Sequence, residues 1–291
     1  MMRAAAVLWL VLAALPAAAV TATDDRGVTV RLAAPARRIV SLAPHATELL
    51  FAAGAGGRIV GAVEWSDYPP EARAIPRVGG YRALDLERIV ALHPDLVVGW
   101  ASGNGAALTR LEAAGLAVFA TEPRRLEDIA AAIEALGRLA GTEERAGEAA
   151  ARFRARLAAL RARWSGRRPV RVFYQVWDRP LITVGGPQII SRLIELCGGR
   201  NVFAQLAELA PTVTVEAVIA ADPDAIVFGL REGREGWAAF WRRFPFLRAV
   251  GRGHLIGLDA DLLQRPTPRL LDGAERLCRA LEAVRSAEGG P

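Results

Sequence analysis

Four aromatic residues, Trp65, Tyr81, Trp100 and Trp177, fall at strand ends or in loops rather than inside elements. Core aromatics sit mid-strand or along a helix stripe, as Phe153 and Trp164 do, whereas loop aromatics facing a cleft build apolar walls for large, flat ligands. Trp237 and Trp241, four apart on an expected helix, read as core. Asp261, Gln264 and Arg265 lie between an expected strand and an expected helix, the usual place for specificity groups on a rigid scaffold; an ion pair within the protein is the alternative. Glu87 and Glu216 each open a short helix, where a carboxylate complements the positive end of the dipole.

Other chemistry is missing from the pattern. No nucleophile elbow, P-loop or zinc-type His/Cys cluster occurs in the sequence. Gly54-Ala55-Gly56-Gly57 and Gly251-Arg252-Gly253 begin like dinucleotide fingerprints but lack the third glycine, so they read as turns. With three histidines in total, His45, His93 and His254, no multi-histidine metal site is expected. His93 and His254 read as structural, while His45, at a helix start, has a place from which it could face a cleft. Without a nucleophile, base and orienting group the chain reads as a non-enzyme, with no catalytic cofactor and no resident metal. The 37 basic residues are all arginine and alternate with 31 acids, so the net charge of +6 reflects no nucleic-acid-binding block.

The elements that must position these residues follow βα punctuation. Strands are expected at 39–42, 59–63, 96–100 and 117–121, with helices at 46–53, 85–92 and 126–139. A helix at 142–164, with Thr142 as N-cap, carries one apolar stripe of Ala146, Ala150, Phe153, Leu157, Leu160 and Trp164; Arg152, Arg156, Arg161 and Arg163 form its solvated face. It is about 34 Å long, enough to bridge two lobes. The pattern then restarts, with strands at 171–177, 181–184, 225–228 and 254–258 and helices at 188–196, 215–220, 237–244 and 268–284. A shift of 129 positions maps Glu87 onto Glu216, Ala91 onto Ala220, Pro94 onto Pro223, Asp95 onto Asp224 and Val98 onto Val227. The fold class is therefore α/β: two lobes with mostly parallel sheets (23–141 and 166–291), joined by one long interlobe helix (142–165), with a ligand cleft between them.

Residues 1–22 read as an export signal: Arg3, an apolar stretch from Ala4 to Leu15, then Pro16 and the small residues Ala17 to Ala22, with cleavage after Ala19 or Ala22. That marks the protein for export. Cys197 and Cys278, an even pair in an exported chain, point to one disulfide; two buried free thiols are the alternative.

Several runs together carry a resemblance: Arg38-Ile39-Val40-Ser41-Leu42-Ala43-Pro44, Thr47-Glu48-Leu49, Trp65-Ser66-Asp67-Tyr68-Pro69-Pro70, Leu86-Glu87-Arg88-Ile89-Val90-Ala91, Pro94-Asp95-Leu96-Val97, Cys197-Gly198-Gly199 and Pro268-Arg269. In this order, over 37–288, the chain resembles the periplasmic cobalamin-binding proteins of ABC importers. These belong to a helical-backbone class that also takes haem and ferric siderophores. The resemblance implies corrinoid binding by Trp65, Tyr81 and Trp100, with polar contacts from Asp261 and Arg265; Trp177 joins the ligand-binding set from its matching strand-end place in the second lobe. It implies docking of Glu87 and Glu216 onto arginines of a dimeric permease in the inner membrane, with a monomer as the carrier and cobalamin as cargo. Haem or a ferric siderophore is the alternative ligand, with Tyr81 or His45 on iron. Trp65 and Tyr81 stand where relatives carry Tyr and Trp, and Ala210 replaces a second-lobe Trp.

Overall fold

Strands that are apolar on both faces need helices on both sides, and a parallel sheet with crossover helices supplies them. The computed structural model describes residues 19–80, 83–230 and 236–288. Its first lobe begins with a hairpin, β1 (Val20–Thr23) and β2 (Thr29–Leu32). There follow β3 (Ile39–Ser41), α1 (Pro44–Ala52), β4 (Ile59–Ala62), the short pair β5 (Gly79–Gly80) and β6 (Ala83–Leu84), and α2 (Leu86–Ala91). The lobe ends with β7 (Leu96–Trp100), α3 (Ala101–Ala113), β8 (Val118–Thr121) and α4 (Leu126–Ala140). Gly141, left-handed at φ 61°, stops α4 and lets α5 (Glu143–Trp164) start two residues later.

The second lobe runs through β9 (Val170–Gln175), β10 (Trp177–Asp178), β11 (Leu181–Ile182), α6 (Ile189–Leu196), β12 (Gly199–Asn201) and α7 (Val215–Ala221). It closes with β13 (Ala225–Leu230), α8 (Gly236–Trp241), α9 (Arg248–Gly251), β14 (Leu255–Asp259), α10 (Ala260–Gln264) and α11 (Leu270–Glu288). The sheets are β4-β3-β7-β8 and β12-β9-β13-β14, every pairing within them parallel.

The internal repeat extends to hydrogen bonds. Asp95 accepts from Arg38 N at 2.9 Å, and Asp224, 129 residues on, accepts from Arg171 N at 2.9 Å. The matching guanidiniums donate to Leu92 O at 2.7 Å and Ala221 O at 2.6 Å. His93 (φ 43°) and Asp222 (φ 37°), also 129 apart, make the same left-handed turn before Pro94 and Pro223.

One hydrophobic core is continuous across both lobes. It takes in Ile39 and Leu96 from the first sheet, Phe153 and Leu157 from α5, and Val172 and Val227 from the second. Separate clusters cover each sheet's outer face, and Trp237 and Trp241 lie in the second of these, as the helical spacing implies. Arg154 and Arg161 reach Glu134 and Glu127 of α4, while Arg156 reaches Asp272 of α11, so the polar face of α5 is tied to both lobes by ion pairs. Cys197, closing α6, and Cys278, in α11, are both fully buried and form a disulfide.

Some expectations change. The 181–184 strand is two residues in an antiparallel hairpin with β10, outside the main sheet, because Arg179-Pro180 turns the chain between them. Thr142 occupies the N-cap of α5, but its hydroxyl donates to Ala53 O at 2.7 Å and joins α5 to the end of α1 instead of capping. The hairpin β1–β2 and the whole of α3 had no counterpart in the expected elements. β1 begins inside the segment 1–22, and Ala22 is buried against the core. Residues 1–18 of the expected signal, and Tyr81, lie outside the described residues. Among the described residues, no helix is long and apolar enough to cross a membrane.

Candidate functional site

A cavity of about 470 Å³ lies between the lobes, at the carboxyl ends of the parallel strands. The first lobe supplies Pro44 and His45 from the start of α1, Trp100 from the end of β7, and Glu122 just after β8. The second supplies Val176, Val184 and Gln188, then Ala210, Gln264 and Arg265. A depression of about 600 Å³ between α4, α5 and α6 is walled by Arg125, Glu127, Arg161, Arg192 and Glu195, but each of these arginines is paired to a neighbouring carboxylate.

Trp100 is fixed from both ends. Its Nε1 donates to Glu122 Oε1 at 3.1 Å, and its backbone N–H donates to Asn104 Oδ1 at 3.0 Å. Gly103 is needed beneath the ring, since a Cβ there would collide with it. His45 meets the same ring edge-on, with centroids 5.7 Å apart. His45 is buried, and its Nε2 lies 2.8 Å from Thr121 Oγ1. Burial, with a smaller contribution from the Arg265 charge, lowers its pKa to about 3, so the imidazole is neutral at ordinary pH.

Arg265 is buried at the end of α10, yet its guanidinium reaches the opposite lobe. It pairs with Glu48 at 3.0 Å, Asp67 at 2.8 Å and Asp261 at 3.0 Å. Arg269 holds Glu48 in a fork, Nε to Oε2 at 2.9 Å and Nη2 to Oε1 at 2.6 Å, and lies 3.8 Å from the centroid of the Tyr68 ring. Burial opposes ionisation of Asp67, but the Arg265 hydrogen bond and charge outweigh it and hold the carboxyl below the usual range. Glu48 and Asp67 belong to the first lobe and both arginines to the second, so this cluster clasps the lobes beside the cavity. Its three carboxylates and two guanidiniums leave one net negative charge.

The cavity thus brings together Trp100 and Arg265. Asp261 stands behind Arg265 and not on the cavity wall. Trp65 and Trp177 are 69% and 44% exposed and flank the cleft in sequence: Trp65 is two residues from Asp67, and Trp177 follows Val176. Trp65 has φ 65°, in the left-handed region that favours glycine and strains a bulky side chain, a conformation that an anchored loop must hold. The anchor is a cluster of buried hydroxyls, with Thr47 Oγ1 2.8 Å from Ser41 Oγ and 3.0 Å from Ser66 Oγ. Glu87 and Glu216 are not on the cavity wall but exposed in the first turns of α2 and α7. Asp85 caps the first helix, accepting from Arg88 N at 2.9 Å, and Thr214 the second, accepting from Ala217 N at 3.2 Å. Sequence reading missed Glu48, Asp67 and Arg269 as a site; the signal available was an acid on the apolar start of α1.

The periplasmic binding protein family matches residues 39–262. The chain belongs to this family. The vitamin B12-binding protein of Vibrio parahaemolyticus is 39% identical over 255 residues, 86% of this chain and 91% of the relative. The crystal structure of the periplasmic vitamin B12 binding protein BtuF of Vibrio cholerae superposes with a TM-score of 0.81 at 38% identity, covering 86% of this chain and 98% of that one. A periplasmic heme binding protein from Pseudomonas aeruginosa superposes with a TM-score of 0.72 at 30% identity, covering 84% and 92%. Membership establishes the expected two-lobed fold and a small-molecule carrier of the transport type.

Proposed function

We propose that the protein captures a corrinoid, cobalamin in the first instance, in the interlobe cleft and delivers it to the permease of an ABC importer. The observation that carries this reading is the charge of the cleft. Arg265 is the one cationic residue on the cavity wall among the described residues, and three carboxylates already surround it. Haem and many ferric siderophores bring anionic groups that call for unmatched cations. A corrinoid brings a broad macrocycle and uncharged carboxamides, which suit an aromatic wall with a few polar groups. The two Vibrio relatives described above are named for vitamin B12.

In this reading Trp100 and Trp65 stack on the ligand, with Tyr81 and Trp177 completing the aromatic surround, while Asp261 holds Arg265 in place. Glu87 and Glu216, at equivalent positions of the repeat, dock on a dimeric permease, and the carrier acts as a monomer in the periplasm. Its leader is removed after Ala19, since that cut leaves β1 whole. The test is a pair of titrations of the mature protein, with cyanocobalamin and with hemin. Saturable binding of cyanocobalamin, weakened at least about tenfold in Trp100→Ala with little change in melting temperature, is expected from loss of a ring face. Binding of hemin without cyanocobalamin overturns the reading.

A further inference from the structure

The hydrogen bonds around His45 fix which of its nitrogens carries the proton. Thr121 donates its single hydroxyl proton to Gly99 O at 3.0 Å. Its oxygen, 2.8 Å from His45 Nε2, is therefore the acceptor of an Nε2–H. In the neutral imidazole this leaves Nδ1 as a bare lone pair. No hydrogen bond within the described residues reaches Nδ1, and His45 is on the cavity wall. On the same wall, Arg265 spends Nη1 and Nη2 on Glu48, Asp67 and Asp261, while its buried Nε–H has no partner. A buried N–H left unmatched costs on the order of 1–3 kcal/mol, so this one awaits an acceptor.

An unsatisfied acceptor on one wall residue and an unsatisfied donor on another are the complement of a primary carboxamide, which has an N–H to give and a C=O to receive with. We propose that His45 and Arg265 together read one peripheral carboxamide of the bound corrinoid, Nδ1 accepting its N–H and Nε–H donating to its oxygen, and so reject the carboxylic acid at that position. The inference rests on the corrinoid reading above and adds a specificity residue, His45, to it.

A carboxylate has no proton for Nδ1, so the lone pairs would oppose one another. The imidazole does not supply the missing proton either, since its pKa is lowered by burial and by Arg265 to about 3. The charged groups around it are unfavourable to an anion: Glu48 from its own helix, Glu122 beyond β8, and Asp67 and Asp261 around Arg265, against Arg265 and Arg269. Four carboxylates face two guanidiniums.

The experiment titrates the mature protein with cyanocobalamin and with its three propionamide-derived monocarboxylic acids, following tryptophan fluorescence at pH 7.5. One monoacid should bind at least about tenfold more weakly than cyanocobalamin, the others within about threefold, as the unmade hydrogen bond and unpaired lone pairs imply. The deficit should shrink as pH falls towards 4.5, where that carboxyl regains a proton for Nδ1. His45→Ala should lower cyanocobalamin affinity and erase the discrimination, and His45→Asn, whose Oδ1 also accepts, should restore it. Three monoacids that all bind like cyanocobalamin, or discrimination that survives in His45→Ala, would overturn the role of His45 while leaving corrinoid binding intact. Wild-type protein that fails to bind cyanocobalamin overturns both. Should His45→Ala not fold, the wild-type series and its pH dependence decide.

Discussion

Acid should unfold this protein earlier than its carboxylates alone would require, and His45 is the reason. In the unfolded chain the imidazole titrates near 6.5, while in the folded protein its pKa is lowered to about 3. Between those values the unfolded state holds a proton that the folded state excludes, so stability falls as pH falls. The loss is about 1.4 kcal/mol per pH unit within that window, or about 2.7 kcal/mol between pH 7.5 and 4.5. Carboxyls held below their usual range, such as Asp67 and Asp222, add their own losses at lower pH, and Asp25, raised by burial, works the other way. The comparison with His45→Asn removes these shared contributions. Urea denaturation of both proteins at half-unit steps from pH 7.5 to 4.5 should give two stability curves that converge by about 2.7 kcal/mol towards acid. Parallel curves would refute the reasoning, because they would mean that His45 takes up its proton without unfolding.

The lobe clasp gives a second expectation: Glu48→Gln should destabilise the protein by about 3 kcal/mol in the same assay at pH 7.5, because two guanidiniums lose their shared, largely buried partner. Alkylation of the denatured, unreduced protein should find no free thiol, and replacing Cys197 and Cys278 by Ser should cost roughly 4 to 5 kcal/mol by chain entropy, as measured by denaturation. Reversing Glu87 and Glu216 to Arg should abolish transport while cyanocobalamin affinity in solution stays within about twofold, since such rim charges act on orientation and association rate. Amino-terminal sequencing of the exported protein should begin at Val20, because a cut after Ala22 deletes three of the four residues of β1.

Locally encoded features were legible in the sequence. The repeat showed itself because each lobe needs the same aspartate and the same turn before proline: Asp95 and Asp224 hold backbone N–H groups in register, and His93 and Asp222 adopt the same conformation. Trp100 was legible as a cleft residue from its place at a strand end. α3 was not, since Gly103, Asn104 and Gly105 argue against a helix. Its start is stabilised from elsewhere, by Asn104 reaching back to Trp100 and by Glu122 accepting from Ser102 N at 2.8 Å. The clasp lay beyond local reading because Arg265 and Glu48 are 217 residues apart, and only the closing of one lobe on the other makes them partners. The same holds for His45, whose tautomer is decided by Thr121, 76 residues away.

The duplicated frame has one more consequence. In the proposed function, cargo and partner place opposite demands on symmetry: a corrinoid has none, whereas a dimeric permease has a two-fold axis. The molecule separates the two. Its cleft has diverged, with His45 and Trp100 on one side and Gln264 and Arg265 on the other, while Glu87 and Glu216 keep matching helix-start positions. In the docking proposed above, a carrier with these two anchors fits a dimer either way round. The doubled number of productive encounters is a statistical gain of a factor of two, about 0.4 kcal/mol in binding free energy. In that docking the cargo reaches the pore mouth in two poses half a turn apart, and the receiving channel has to accept both.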